Sequence, residues 1–526
     1  VIRFLFTLVA ASVALFSANA APPDPTILAA KIDARIDEQL KANGVKPAAP
    51  ASDAEFHRRA AIDILGRIPT VAEARAFLDD QSPGKHAKLI DRLIASPAAI
   101  NHAATLWRYA LVPQAQRVQF IDVTLEAWLR AELRAGRTAD RLMYNLLTAP
   151  LDYNNREPDG KLRPAPGVSP VSFYQANDLK PEAVASSATR VLLGIKIECA
   201  QCHNHPFDKW TKQQFWETAA FFAPVPPQLP DEKIRPIAEL SLRKTVSMPV
   251  KDKETEVTPK FMSGNVPDWK GVTDTRSLFA AWATAKTNPY FARTTANRIW
   301  AQFFGIGIVD PVDDFNTANV PSHPELLDEL AEALVASDFD TNILVKAIGR
   351  TAAYQRASKG TEKAQNDPRL FARMSVKGLS PEQLFDSLAQ ATGYREPIPA
   401  AARAAFGVNP DTPRGAYLAK FAGGAQRADA QTSMLQALTL MNGAWMSRET
   451  SPETGETLIA VANAPFLDDA AKIETLFLAA YARKPTTGER EKFLSYLLRE
   501  GDAGRKAQLA DIFWSLLNSQ EFLLNH

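Results

Sequence analysis

Apolar residues recur at helical spacing through most of the chain, and polar start and stop signals bracket those runs. Ile27, Ile32, Ile36 and Leu40 share one face, which predicts a helix over 27–40. Residues 56–65 predict another, and Leu89, Ile90, Leu93 and Ile94 form one stripe of a helix opened by Ser82-Pro83. Helices are also predicted over 121–134, 139–147 and 181–197. The pattern Ser/Thr-x-x-Glu/Gln, in which hydroxyl and N3 side chain satisfy each other's free amides, occurs at Thr70, Thr211, Ser322 and Thr486. Ser380-Pro381-x-Gln383 repeats it, with Gly393 as the stop. Further helices are expected over 277–285, 288–305 (closed by Gly305), 325–336, 432–446, 490–499 and 508–524.

Two stretches break the pattern. Residues 153–169 are rich in Pro, Gly and Asn and read as a loop. From 224 to 269 prolines recur, with 244–250 and 254–261 as possible short strands. No repeat of fixed period is visible. The expected fold is mainly α, with two helical domains, 53–223 and 277–526. A Pro-rich linker with a small β element, 224–276, would join them, after an N-terminal extension over 21–52.

With 526 residues the chain has room for two or more cores. Its 46% hydrophobic and 23% charged content is that of a globular protein. A net charge of +1 gives no polyelectrolyte signal, so no nucleic-acid partner is expected. At the start, Arg3 precedes an apolar run from Phe4 to Phe16 and the small-residue pattern Ala18-x-Ala20. These read as a signal peptide, residues 1–20, cut after Ala20. The mature chain should then be periplasmic or secreted. No later run is long and apolar enough to expect a membrane span.

The chemistry gathers in one stretch. Cys199-Ala-Gln-Cys202-His203-Asn-His205-Pro-Phe-Asp208-Lys-Trp210 holds both cysteines and two of the seven histidines. Cys-x-x-Cys-His is the attachment pattern of c-type haem: two thiols add to the vinyl groups, and the adjacent histidine faces the iron. Cys199, Cys202 and His203 would hold the haem, and export agrees with that chemistry. Three other readings stand beside it. The pair could form a disulfide in an exported protein. Cys199, Cys202 and His203 or His205 could ligate zinc or copper. The histidines could be ordinary polar residues at a helix end.

A distal ligand is not specified. His57, His102, His323, Met434, Met441 and Met446 are available, and each also has a packing or capping reading. The helix after Thr211 carries Phe215, Trp216, Phe221 and Phe222, as core or as the wall of a ligand pocket. Asp313 and Asp314 could contact a metal or a hydroxyl, or pair with Arg293 or Arg298. Asp208 could orient a histidine or cap the Thr211 helix. There is no phosphate loop, nucleophile elbow or His-Glu-x-x-His pattern, and no residue takes a catalytic assignment.

Taken together, the stretch 194–210, the segment 288–305, Pro311-Val-Asp-Asp-Phe315, Ser322-His-Pro-Glu-Leu-Leu327 and the ending 516–526 resemble a planctomycete-type, cytochrome-c-associated family. There, domain of unknown function 1549 is followed by domain of unknown function 1553. The resemblance implies an exported protein beside cytochrome-c-type modules and near sulfatase-like partners, with no defined activity. Asp310 stands where many relatives carry histidine, which removes one potential ligand. The expected function is an exported c-type-haem redox protein. It would transfer electrons to a redox partner, or oxidise a small or carbohydrate substrate with a partner's help. The alternatives are a non-haem Cys/His metal protein and an extracellular binding module with a Cys199–Cys202 disulfide.

Overall fold

Helix starts follow the capping signals at four of the five positions. In the computed structural model, which describes residues 23–112, 119–151, 168, 170–225, 244–250, 253–268, 270–396, 412–421, 443–498 and 501–526, reciprocal boxes close at Thr70, Thr211, Ser380 and Thr486. They open the helices Val71–Asp79, Lys212–Ala219, Pro381–Thr392 and Thr487–Leu497. Ser322 forms no such box. His323 is the cap residue of Pro324–Ala336, and the Ser322 hydroxyl lies against the Ile308 carbonyl instead. Ser82-Pro83 also sits outside its helix, which begins at Lys85 after Gly84 in the left-handed region.

The chain is mainly α. The helices Pro25–Ala42, Asp53–Leu65, Gln119–Arg134, Ala139–Leu147 and Phe291–Phe304 occupy the expected stretches. Pro97–Leu111, Asn342–Arg350 and Asp469–Tyr481 are helices with no counterpart in the sequence reading. The helix expected over 181–197 is shorter. Pro181–Ala188 passes into one π turn, Thr189–Leu193, and Gly194 at φ +68° ends it. A glycine past the last turn adopts that geometry without a Cβ penalty. At the end, Gly501–Leu517 and Gln520–Leu523 replace one continuous helix, because Ser519 caps the second.

Two small antiparallel pairs complete the described elements. Strand β1, Val246–Val250, pairs with β2, Lys253–Val257, with Val246 opposite Val257. Strand β3, Lys377–Gly378, pairs with β4, Leu524–Asn525. The expected signal peptide, nearly all of the 153–169 loop, and Met434 and Met441 lie outside the described residues. No described helix is long and apolar enough to cross a membrane.

The apolar cores divide the chain near residue 375. One continuous core runs from Leu28 to Met374 and includes Phe56, Leu192, Phe222, Phe279, Trp300 and Tyr354. Residues 277–374 therefore pack with the N-terminal helices across the Pro-rich stretch. A second core gathers residues 379–522 and takes Ile62 and Ile68 from the N-terminal part.

The helix Asp53–Leu65 ties the two cores. Its Asp63 carboxylate, 2% exposed, accepts from Lys377 Nζ (2.7 Å), Tyr354 Oη (2.8 Å) and Asn525 Nδ2 (2.8 Å). Arg58 donates to the carbonyls of Ala480 and Phe522, and Arg59 to those of Tyr354 and His526. Buried charges of this kind stand only when paired and hydrogen-bonded.

Candidate cysteine–histidine site

The segment leading to the cysteines has no regular structure over 195–197, and Ile195 and Ile197 lie in the core. It then turns once as a 3-10 helix, Glu198–Gln201. One position of that turn is buried and its neighbours are not. Ala200 faces inward, while Cys199, Cys202 and His203 face solvent. Both cysteines are free thiols.

Behind the turn the loop is fastened to the next helix. Trp216 Nε1 donates to the Gln201 carbonyl (3.1 Å), and the His205 amide to the Trp210 carbonyl (2.8 Å). The Asn204 side chain accepts from the Lys212 amide (3.0 Å), so it satisfies a free donor of that helix's first turn. Sequence reading missed Asn204, since Thr211 already supplies the capping signal there.

The two histidines differ in what their rings offer. His203 Nδ1 lies 2.8 Å from the Asn204 carbonyl, an acceptor, so this nitrogen carries the proton. The neutral ring then keeps its lone pair on Nε2. His205 Nδ1 accepts from the Phe207 amide (3.2 Å), so its lone pair is already engaged. Among the described residues, no group of three or more His, Cys, Asp or Glu stands together as a metal site.

The other candidates lie elsewhere. His57 is fully buried on its helix, its ring 4.8 Å from that of Phe77. Burial, with Arg92 nearby, pushes its pKa down to about 4. His102 packs against Gly66. His323 is buried beside Phe371, its Nδ1 on the Ser322 hydroxyl, and burial pushes it down to about 4 as well. Met446 belongs to the second core. The partners named here lie outside residues 199–210.

Phe215, Phe221 and Phe222 lie in the large core, where Phe221 stacks on Phe261 at 5.1 Å. Trp216 is the ring of this group that also bonds the cysteine turn. Asp208 accepts from the Lys209 amide, and Thr211 is the cap. Beside the loop, Phe207 stands 80% exposed.

Asp313 pairs with Arg298, as expected, and also with Arg190 (2.7 Å). Burial raises its pKa, but Arg298 and Arg190 outweigh that and hold it below the usual carboxylate value. Asp314 lies 3.6 Å from Lys196, and Arg293 pairs with Asp328 instead. Arg190 is 123 residues from Asp313, a separation at which no spacing rule applies.

Comparison with known proteins gives two family matches. Residues 31–226 match the family described as PSCyt2, protein of unknown function (DUF1549). Residues 275–407 match the family described as PSD1, protein of unknown function (DUF1553). The closing segment 516–526 lies beyond the second match. No curated protein and no solved structure matches the chain.

Proposed function

The chain belongs to the two-domain family in which a DUF1549 domain is followed by a DUF1553 domain, and within it we propose a c-type-haem redox protein acting outside the cytoplasm. One observation carries the reading: the contact of His203 Nδ1 with the Asn204 carbonyl at 2.8 Å. The Nδ1 proton is held by this backbone carbonyl, which leaves Nε2 as the free lone pair. Two exposed thiols stand three residues apart immediately before it. The donor set therefore fits haem c: Cys199 and Cys202 would form the thioether links and His203 would ligate the iron. The group supplies one-electron chemistry when bound. The chain's own residues orient the donors: Asn204 sets the tautomer, and Gln201 and Trp216 fix the turn that separates the cysteines. Zinc or copper through His205 is less favoured, because the Phe207 amide occupies its lone pair. Electron transfer to a partner protein, or oxidation of a small or carbohydrate substrate with a partner, is the activity this site would serve. The signal-peptide pattern at 1–20 is what supports a periplasmic or secreted location.

The test is expression of the full chain in a periplasm with haem-maturation machinery. A sharp reduced band in the visible spectrum, with haem surviving a denaturing gel, is expected. Cys199→Ala with Cys202→Ala should abolish covalent haem, and His203→Ala should leave attachment but alter the spectrum. A matured wild-type chain that stays colourless sinks the reading.

A further inference from the structure

The segment before the cysteines meets the Pro-Val-Asp-Asp-Phe stretch of the second family match. The Phe315 amide donates to the Gly194 carbonyl at 2.8 Å. Gly194 has no room for a side chain: a Cβ would stand 2.6 Å from Phe315 Cδ2 and 2.8 Å from Thr294 Oγ1. Its φ of +68° adds a second reason for glycine. On one side of this contact, Asp313 bridges Arg190 of the π turn and Arg298 of the helix Phe291–Phe304. Arg298 also donates to the Val191 carbonyl (3.1 Å), and Arg190 to the Ala110 carbonyl (3.0 Å). On the other side, Asp314 lies within 3.6 Å of Lys196, three residues before Cys199.

The stretch that makes these contacts is itself held firmly. Asn297, wholly buried, donates to the Val309 and Val312 carbonyls and accepts from the Val309 amide. Residues 309–315 are therefore a stiff buttress fixed to their own helix. Cys199 follows Gly194, the residue bonded to this stretch, by only five residues.

We propose that residues 313–315 position the cysteine turn, so that the second family domain completes the site carried by the first. The redox function of that site rests on the reading above; the positioning itself does not require haem. Asp313 is the principal positioning residue, through Arg190 and Arg298. Asp314 acts more weakly, through Lys196, and Phe315 supplies the backbone bond.

The test uses the full chain made without haem-maturation machinery. Two quantities are read: amide hydrogen exchange over 194–205, and the equilibrium of the Cys199–Cys202 dithiol with its disulfide against a glutathione buffer. Asp313→Asn keeps the shape and removes the charge. It should speed exchange over 194–205 about tenfold and shift the dithiol equilibrium severalfold, with exchange in the 379–522 core unchanged. Asp328→Asn breaks the Asp328–Arg293 pair, which joins the helix Pro324–Ala336 to the helix that carries Arg298, and should change neither. If Asp313→Asn does not fold, Asp314→Asn decides, with about a twofold effect expected on both quantities. Unchanged exchange and equilibrium in the variant that folds, or acceleration spread evenly over both cores, overturns the proposal. A colourless matured chain overturns the haem reading alone.

Discussion

The helix Asp53–Leu65 and the turn 198–205 are both dense in polar chemistry, and the fold treats them oppositely. On the helix, Arg58, Arg59 and Asp63 are buried and bonded to residues up to 467 positions away. On the turn, Cys199, Cys202 and His203 face solvent, and their backbone is held by neighbours. Polar groups that ionise strongly are absorbed where two cores meet, because an unpaired charge there is prohibitive. Groups with free lone pairs are displayed on a short, fastened turn. The contrast separates the residues that build this molecule from those available to act.

The sharpest way to break it is at Asp63. Asp63→Ala leaves the Lys377 ammonium without its carboxylate and strands the Tyr354 hydroxyl and the Asn525 amide. The expected loss is about 3–5 kcal/mol of unfolding free energy, read from urea or guanidinium midpoints. Asp63→Asn keeps acceptor capacity and should lose roughly 1–3 kcal/mol. A loss under about 1 kcal/mol for the alanine variant, against the usual value for a broken buried pair, would remove Asp63 as the tie between the cores.

A smaller effect is expected from acid. His57 is fully buried, and among the described residues neither ring nitrogen has a bonding partner. Its folded pKa of about 4 lies below the ordinary 6.5. The unfolded chain therefore binds a proton that the folded chain refuses. Stability from this group is complete above pH 6.5 and falls as pH drops from 6.5 towards 4. At pH 4.5 the loss is about 2–3 kcal/mol, and His323 acts in the same window. Glu489, held down to about 2 chiefly by Arg483, loses its contribution only between about pH 4.5 and 2. Comparing denaturation at pH 7.5 and 4.5 checks this. His57→Leu should flatten the profile, and an unaltered slope would count against a neutral buried ring.

Local signals were legible in the sequence, and long-range ones were not. The boxes at Thr70, Thr211, Ser380 and Thr486 involve residues three apart, so spacing alone finds them. Ser322 carries the same spacing and fails, because its hydroxyl meets the Ile308 carbonyl of a preceding loop. The helix expected over 181–197 ends earlier, because Gly194 at φ +68° stops it. The Asp313–Arg298 pair was legible as acids near a basic helix, whereas Arg190 and Lys196 arrive from over a hundred residues away. The cysteine motif itself is contiguous, so its donors were legible. The proton position on His203 depends on an adjacent carbonyl, which only the folded turn defines.

The smallest expected effect lies on the displayed side. Phe207 is 80% exposed, so the folded chain gains little from burying its ring. Phe207→Ser should change unfolding free energy by less than about 0.5 kcal/mol, the usual range for a surface substitution. The same holds for Cys199→Ala with Cys202→Ala in the haem-free chain, because both side chains already meet water. Denaturation of these variants beside Asp63→Ala then measures the contrast directly. A loss above about 1 kcal/mol for either, well beyond that range, would mean the turn carries stability as the buried helix does. Its exposure could then no longer be taken as the mark of residues left free for chemistry.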